Sequence, residues 1–217
     1  MVPRLRGGAA RVPSRVNCAH APTEPLGTLR DGATPFGKAL GTIDRVGDRW
    51  AARLRGRGWA DASAAVLSNL SDHGVVWVVA AAWKARRPGR ARWRALAALA
   101  LAGVASYGVN RAVKQAVGRS RPQPQEPLLD PLPVRTPASS SFPSGHTLAS
   151  FCTAVVLPES PSGRRAALVF AAAVAVSRVH LQAHHPSDVL GGTVIGAALG
   201  TLVRPIVDTL GAPRAER

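Results

Sequence analysis

Between residues 64 and 203 the chain alternates runs of Ala, Val and Leu with short polar segments, and this alternation restricts the fold more than any other feature. Such runs have to be buried, in a protein core or in lipid. They lie at about 64–83, 95–113, 147–157, 166–177 and 189–203. Several are shorter than the roughly 20 residues that a helical crossing needs, so their polar ends belong in the headgroup region or a protected cavity. Gly192, Gly196 and Gly200 recur every fourth residue, and small residues on one face let helices approach closely in lipid. The expected fold is all-α, a transmembrane bundle of about five spans with its active site at one membrane face. A soluble all-α bundle is the alternative.

Charge supports the membrane reading. Lys and Arg number 28 against 12 Asp and Glu, a formal net charge of +16. That balance suits nucleic acid or an anionic membrane. Aromatic content is low and no helix-turn-helix, zinc-finger or RNA-binding pattern occurs, so no nucleic-acid partner is expected. The charges fall between the apolar runs, as in a membrane protein with basic loops. Residues 1–35, rich in Pro, Gly, Ala and Arg, read as a disordered basic tail. In 36–61, Leu40, Ile43, Val46, Trp50 and Leu54 recur at helical spacing. That makes an amphipathic helix, on the membrane surface or packed on the bundle. A third unit, 62–210, holds the spans. Asp72 and His73 interrupt the first run; they either face the bundle interior or mark the end of the apolar core. Cys18 and Cys152 suggest neither a disulfide nor a cysteine metal site, and no cleavable secretory signal is expected.

With five spans, the loops 84–94 and 158–165 and the C-terminus share one side and hold six, two and three basic residues. The segments 114–145 and 178–187 share the other and hold four and one. The positive-inside rule places the first set in the cytoplasm and the second, with its polar clusters, outside the cell membrane. The eleven basic residues ahead of the first span count the other way.

The stretch from Ser177 to Asp188 carries an arginine, three histidines and an aspartate at the edge of two apolar runs. Antiparallel helix order brings it beside the end of the second run, Lys114 to Pro122, and the start of the third, Ser141 to His146. Lys114, Arg121 and Arg178 suit the oxygens of a transferring phosphoryl group. Pro143 near a helix start leaves the N–H groups of Ser144, Gly145 and His146 unpaired for an anion, and Gly145 lets the backbone come close. His184 is a nucleophile or base, and Asp188 is placed to accept its second ring N–H. Each piece also has an ordinary reading, a snorkelling cation or a common helix start; convergence of all three is what points to chemistry.

Lys114-x6-Arg121-Pro122, Pro143-Ser-Gly-His146 and Ser177-Arg-x5-His184-x3-Asp188 resemble, in order and spacing, the three signature motifs of the type 2 phosphatidic acid phosphatase superfamily. That superfamily also includes vanadium haloperoxidases and bacterial acid phosphatases. The resemblance covers about 62–205. Members of the lipid-phosphatase branch usually have six spans; five are counted here, so the first is missing or replaced by the amphipathic segment. The resemblance implies catalysis by His184 as nucleophile, Asp188 raising its nucleophilicity, and His146 as general acid then base. It implies phosphate binding by Lys114, Arg121, Ser144, Gly145 and Arg178. No metal and no cofactor are expected, because the cations are built in. His180 and His184 at i, i+4 spacing could ligate zinc, but no convincing third ligand accompanies them. The implied substrate is a lipid phosphate or diphosphate, phosphatidate-like or polyprenyl. The alternatives are a vanadate-dependent haloperoxidase and a non-catalytic lipid-phosphate binding or transport protein. The sequence assigns no oligomeric state.

Overall fold

The computed structural model describes residues 35–123 and 139–210, with side chains from Lys38 onward. Its elements are α1 (Pro35–Ala52), α2 (Gly58–Ser71), α3 (Val75–Ala85), α4 (Arg90–Val117), α5 (Gly145–Val156), α6 (Pro161–His180) and α7 (Pro186–Leu210). One 3-10 turn, Asp72–Gly74, joins α2 to α3. The basic tail expected over 1–35 lies outside the described residues, except for Pro35, which begins α1. Within 36–61 the chain makes α1, a turn, and the first residues of α2.

The helices outrun the apolar runs because their ends are set by capping rather than by polarity. Helix α4 continues through Lys114 and stops at Gly118, whose φ of 61° only glycine adopts readily and whose N–H bonds the Lys114 carbonyl. Helix α6 starts where Ser160 Oγ accepts the Gly163 N–H at 3.1 Å, with Pro161 in the first turn. His73 and Gly74, at φ 53° and 70°, break the helical run that Asp72 interrupts. Among the described residues, three helical stretches qualify as membrane spans by length and apolarity: Gly58–Ala85, α4 and α7. Of the other two expected spans, α5 has 12 residues, a rise of about 18 Å, and α6 has 20 but carries Arg164, Arg165 and Arg178.

Helices α5 and α7 run side by side, both starting at the end that holds Ser144 and Asp188. The glycine stripe makes this possible. A Cβ at Gly192 would lie 2.8 Å from the Ser144 carbonyl oxygen, one at Gly200 2.9 Å from that of Cys152, and one at Gly196 would strike that of Leu148. Backbone thus packs on backbone, and the Ser144 N–H reaches the Asp188 carbonyl at 3.1 Å. Below that contact, Ala98, Ala102, Cys152, Val156, Ala171 and Val207 fill the core. The far end is held by Arg94, which bonds Asp208 at 2.7 Å and the Val156 and Leu157 carbonyls.

Helix α1 lies against α6 and α7 at the site end. Gly47 packs on Pro186, and Asp44 Oδ1 accepts the Ser187 N–H at 2.9 Å, capping the start of α7. Its apolar stripe stays largely uncovered: Ile43, Val46 and Trp50 are exposed.

Candidate active site

The sequence-predicted residues meet at the end of the bundle where α4 and α6 finish and α5 and α7 begin. Lys114, Arg121, Gly145, His146, Arg178 and His184 line a single cavity of about 530 Å³. Ser144 and Asp188 lie behind its wall, both fully buried.

His184, 3% exposed, sits in the turn after α6. Its Nδ1 is 2.8 Å from the Ser141 carbonyl oxygen and 3.7 Å from Asp188 Oδ2. The expected His184–Asp188 hydrogen bond is therefore taken by Ser141. A carbonyl only accepts, so Nδ1 carries the proton and Nε2 the lone pair. Arg121 Nη1, 3.3 Å from Nε2, can only donate and so fits the same tautomer. Burial drives the imidazole pKa down to about 4, with Arg121 and Arg178 acting in the same direction against Asp188. At neutral pH the ring is uncharged, with its lone pair directed to the cavity.

Asp188 has other partners for both oxygens. Oδ1 accepts from Arg119 Nη1 at 2.5 Å, and Oδ2 from the His185 N–H at 2.9 Å. Arg119 also donates to Ser187 Oγ at 2.7 Å and, through Nη2, to Asp44 Oδ2 at 2.6 Å. Asp188 thus fixes the turn that carries His184, and α1 is tied to that turn through Arg119. Neither Arg119 nor Asp44 stood out in the sequence. Arg119 is one basic residue in a basic segment, and Asp44 one polar residue on an amphipathic helix.

His146 lies in the first turn of α5, and its Nε2 is 2.6 Å from Asp72 Oδ1. This leaves Nδ1 for a substrate. Of the two positions open for the Asp72–His73 pair, Asp72 takes the interior one, at the site. The interruption of the first apolar run was the signal for it.

The cations form a cradle with unused donors. Arg178, 1% exposed, gives Nη1 to Ser68 Oγ of α2, while its Nε and Nη2 are buried without a partner among the described residues. Arg121 holds the Ala183 and Ser139 carbonyls with Nη1 and Nε, at 2.7 and 3.1 Å, and its Nη2 is likewise unpartnered. Lys114 Nζ bonds the Ser140 carbonyl at 2.8 Å. Buried guanidinium donors without acceptors carry a large desolvation cost, which an anion between them removes. Ser144 departs from its expected place. Its N–H is bonded to Asp188, and its Oγ accepts from Thr147 Oγ1 at 3.0 Å. The free N–H groups of that helix start are those that follow Ser144, the N-cap, beginning with Gly145.

The His180–His184 pair does not form. His180 ends α6, His184 lies beyond the helix, and His180 Nε2 is 2.7 Å from Asp61 Oδ1 in a separate buried contact. Among the described residues no three His, Cys, Asp or Glu side chains are placed to hold one metal ion.

Residues 73–212 match the family model of the PAP2 superfamily. The chain belongs to the PAP2 superfamily. It is 34% identical over 153 residues to decaprenylphosphoryl-5-phosphoribose phosphatase of Mycobacterium tuberculosis, spanning 70% of this chain and 81% of that one. The protein of the same name from Mycolicibacterium smegmatis is 34% identical over 143 residues, 65% of this chain and 76% of that one. In fold, this PAP2 protein is similar to the crystal structure of a transmembrane PAP2 type phosphatidylglycerolphosphate phosphatase from Bacillus subtilis. The TM-score is 0.61 at 24% identity, over 82% of this chain and 89% of that one. With its apolar helices, this makes it a multi-pass membrane phosphatase of the PAP2 type.

Proposed function

We propose that this PAP2 protein removes a phosphate from a membrane lipid in two steps, through a phosphohistidine on His184. The observation that carries the reading is the set of three guanidinium nitrogens, on Arg121 and Arg178, without a partner among the described residues, around the cavity that the His184 lone pair faces. That cavity continues away from the cations between Trp77, Val78 and Leu99, an apolar path suited to a lipid tail.

In the first step His184 Nε2 attacks phosphorus and the P–O ester bond breaks. The departing oxygen takes a proton from His146 and leaves as the lipid alcohol or, from a diphosphate, departs on the lipid monophosphate. In the second step His146, now neutral, takes a proton from water as the oxygen attacks phosphorus. The N–P bond breaks, its electron pair returns to Nε2, and inorganic phosphate leaves. Arg121, Arg178, Lys114 and the Gly145 N–H bind the phosphoryl oxygens throughout. Phosphatidate-like lipids, polyprenyl diphosphates and, from the names of the mycobacterial relatives, a polyprenyl-linked sugar phosphate all present such a group. The site faces outward across the cell membrane in this reading.

The test is phosphate release by detergent-purified protein in excess EDTA, with phosphatidate, an isoprenyl diphosphate and a polyprenylphosphoryl phosphoribose, and His184→Ala alongside. Release that survives EDTA and is lost in His184→Ala is expected. Release that EDTA abolishes, or that persists without His184, overturns the mechanism.

A further inference from the structure

One face of α4 reads, from the far end toward the site, Leu99, Gly103, Ser106, Asn110, Lys114. All five line the active-site cavity. The helical rise puts Asn110 about 6 Å below Lys114 and Ser106 about 12 Å below it. The wall thus passes from cation through two neutral hydrogen-bonding groups to apolar surface. Opposite are Trp77 and Val78 of α3 and Ala149 and Thr153 of α5.

Both middle groups are unsatisfied. Ser106, 3% exposed, has an Oγ with no hydrogen-bond partner among the described residues, and the Cys152 thiol beside it is at best a weak one. Asn110 Oδ1 is also buried without a partner among them. Buried polar groups are rarely left so, and the cost rises where lipid rather than water surrounds the protein. The Asn110 amide packs on Gly145, where a Cβ would lie 3.2 Å from Nδ2. The phosphate-binding turn is therefore its immediate neighbour, and the amide stands where the first atoms beyond a bound phosphate have to pass.

We propose that Asn110 and Ser106 form a subsite that reads hydroxyl groups just below the phosphate cradle. The preferred substrate then carries its phosphate on a polyol, a sugar or glycerol, set between the phosphate and the lipid tail. The chemistry of the orphan atom makes the choice. Asn110 Oδ1 is an acceptor and has to be met by a donor. A second phosphate at neutral pH offers acceptor oxygens and negative charge, and a hydrocarbon offers nothing. A hydroxyl supplies the missing proton, and its own oxygen accepts from Ser106 Oγ–H. No cation of this face lies below Lys114 to meet a second phosphate directly attached to the first.

This inference rests on the proposed lipid phosphatase activity, and the experiment separates the two. Two probes share a farnesyl tail: farnesylphosphoryl ribose 5-phosphate and farnesyl diphosphate. The readout is the ratio of their kcat/KM values for the wild type, Asn110→Leu and Ser106→Ala. Ser106→Ala removes an unpaired hydroxyl and leaves no buried group newly unsatisfied, so its folding is not in question. The wild type is expected to favour the ribose probe, and each substitution to lower the ratio about tenfold, the worth of one hydrogen bond to a neutral group. A ratio near one in the wild type, or a ratio that neither substitution moves, overturns the subsite while the phosphatase stands. Phosphate release from neither probe overturns both.

Discussion

Asp72 and His184 illustrate how single side chains set the chemistry. Asp72 holds Nε2 of His146 at 2.6 Å and so leaves the other nitrogen for the leaving oxygen in the proposed mechanism. An asparagine keeps the shape but can donate as well as accept, so it no longer selects one tautomer. Asp72→Asn is expected to lower kcat by about 10² or more for an alkyl phosphate and far less for p-nitrophenyl phosphate, whose leaving group needs no proton. Equal losses on both substrates would reduce Asp72 to a structural role. His184, with its pKa near 4, should keep its nucleophilic form well below the usual titration of histidine. The sign follows from the shift: lowering the pKa favours the neutral ring, so reactivity is retained above about 4 and lost below it. Rapid-quench formation of phosphoenzyme from p-nitrophenyl phosphate, whose leaving group needs no proton from His146, should, corrected for substrate ionisation, be flat from pH 7 to 5. It should then fall about tenfold per pH unit below 4, where Arg121, Arg178 and Asp188 are the charges facing the ring. His146, His184 and the cradle cations were legible because each lies in a short polar motif at the edge of an apolar run, 114–122, 143–146 or 177–188. Asp72 and Arg119 were not assigned, since their partners lie 74 and 69 residues away and no local pattern records that distance.

At the scale of elements, the contact of α5 with α7 builds the site. The three glycines bring two backbones together, and the same register delivers the Ser144 N–H to the Asp188 carbonyl. Any side chain at Gly196 has to push α7 off the Leu148 carbonyl. Gly196→Ala is expected to cost about 1–3 kcal/mol as overpacking and to lower kcat/KM more than tenfold. Gly108→Ala on α4, where a Cβ meets nothing within 4 Å, serves as control. Thermal unfolding in detergent and phosphate release check both; a Gly196→Ala protein with unchanged activity would separate the helix contact from catalysis. The four-residue spacing of those glycines was readable. The short α5 was readable as well, since the run 147–157 nearly matches Gly145–Val156, and the break at His73–Gly74 was readable as an interruption though not as a turn. Polar residues that seemed to end spans, Lys114 among them, continue the helices, since hydrogen bonding and caps, not polarity, terminate a helix.

The whole molecule is polarised along the bundle axis. Lys84, Arg94, Arg204, Glu159 and Asp208 interlock at the end away from the site, beside Arg86, Arg87, Arg90 and Arg92. The six basic residues of 84–94 lie between two spans, so exporting them would carry the whole cluster across the bilayer. Helix α1 and the turn after it oppose this with basic residues at the site end, but Arg55 of that turn is spent on Asp48 and on the Val179 and His180 carbonyls. In the proposed orientation the loop between α3 and α4 is the determinant, with the phosphate cradle outside. A membrane-impermeant maleimide on intact cells tests this in a Cys18→Ser background, where Cys152 is fully buried and stays silent. Gln123→Cys, exposed near the cradle, should label on intact cells. Ser162→Cys, exposed at the far end, should label only after lysis. The reverse pattern would place phosphate release in the cytoplasm and make the N-terminal charges, not the loop, the determinant of orientation.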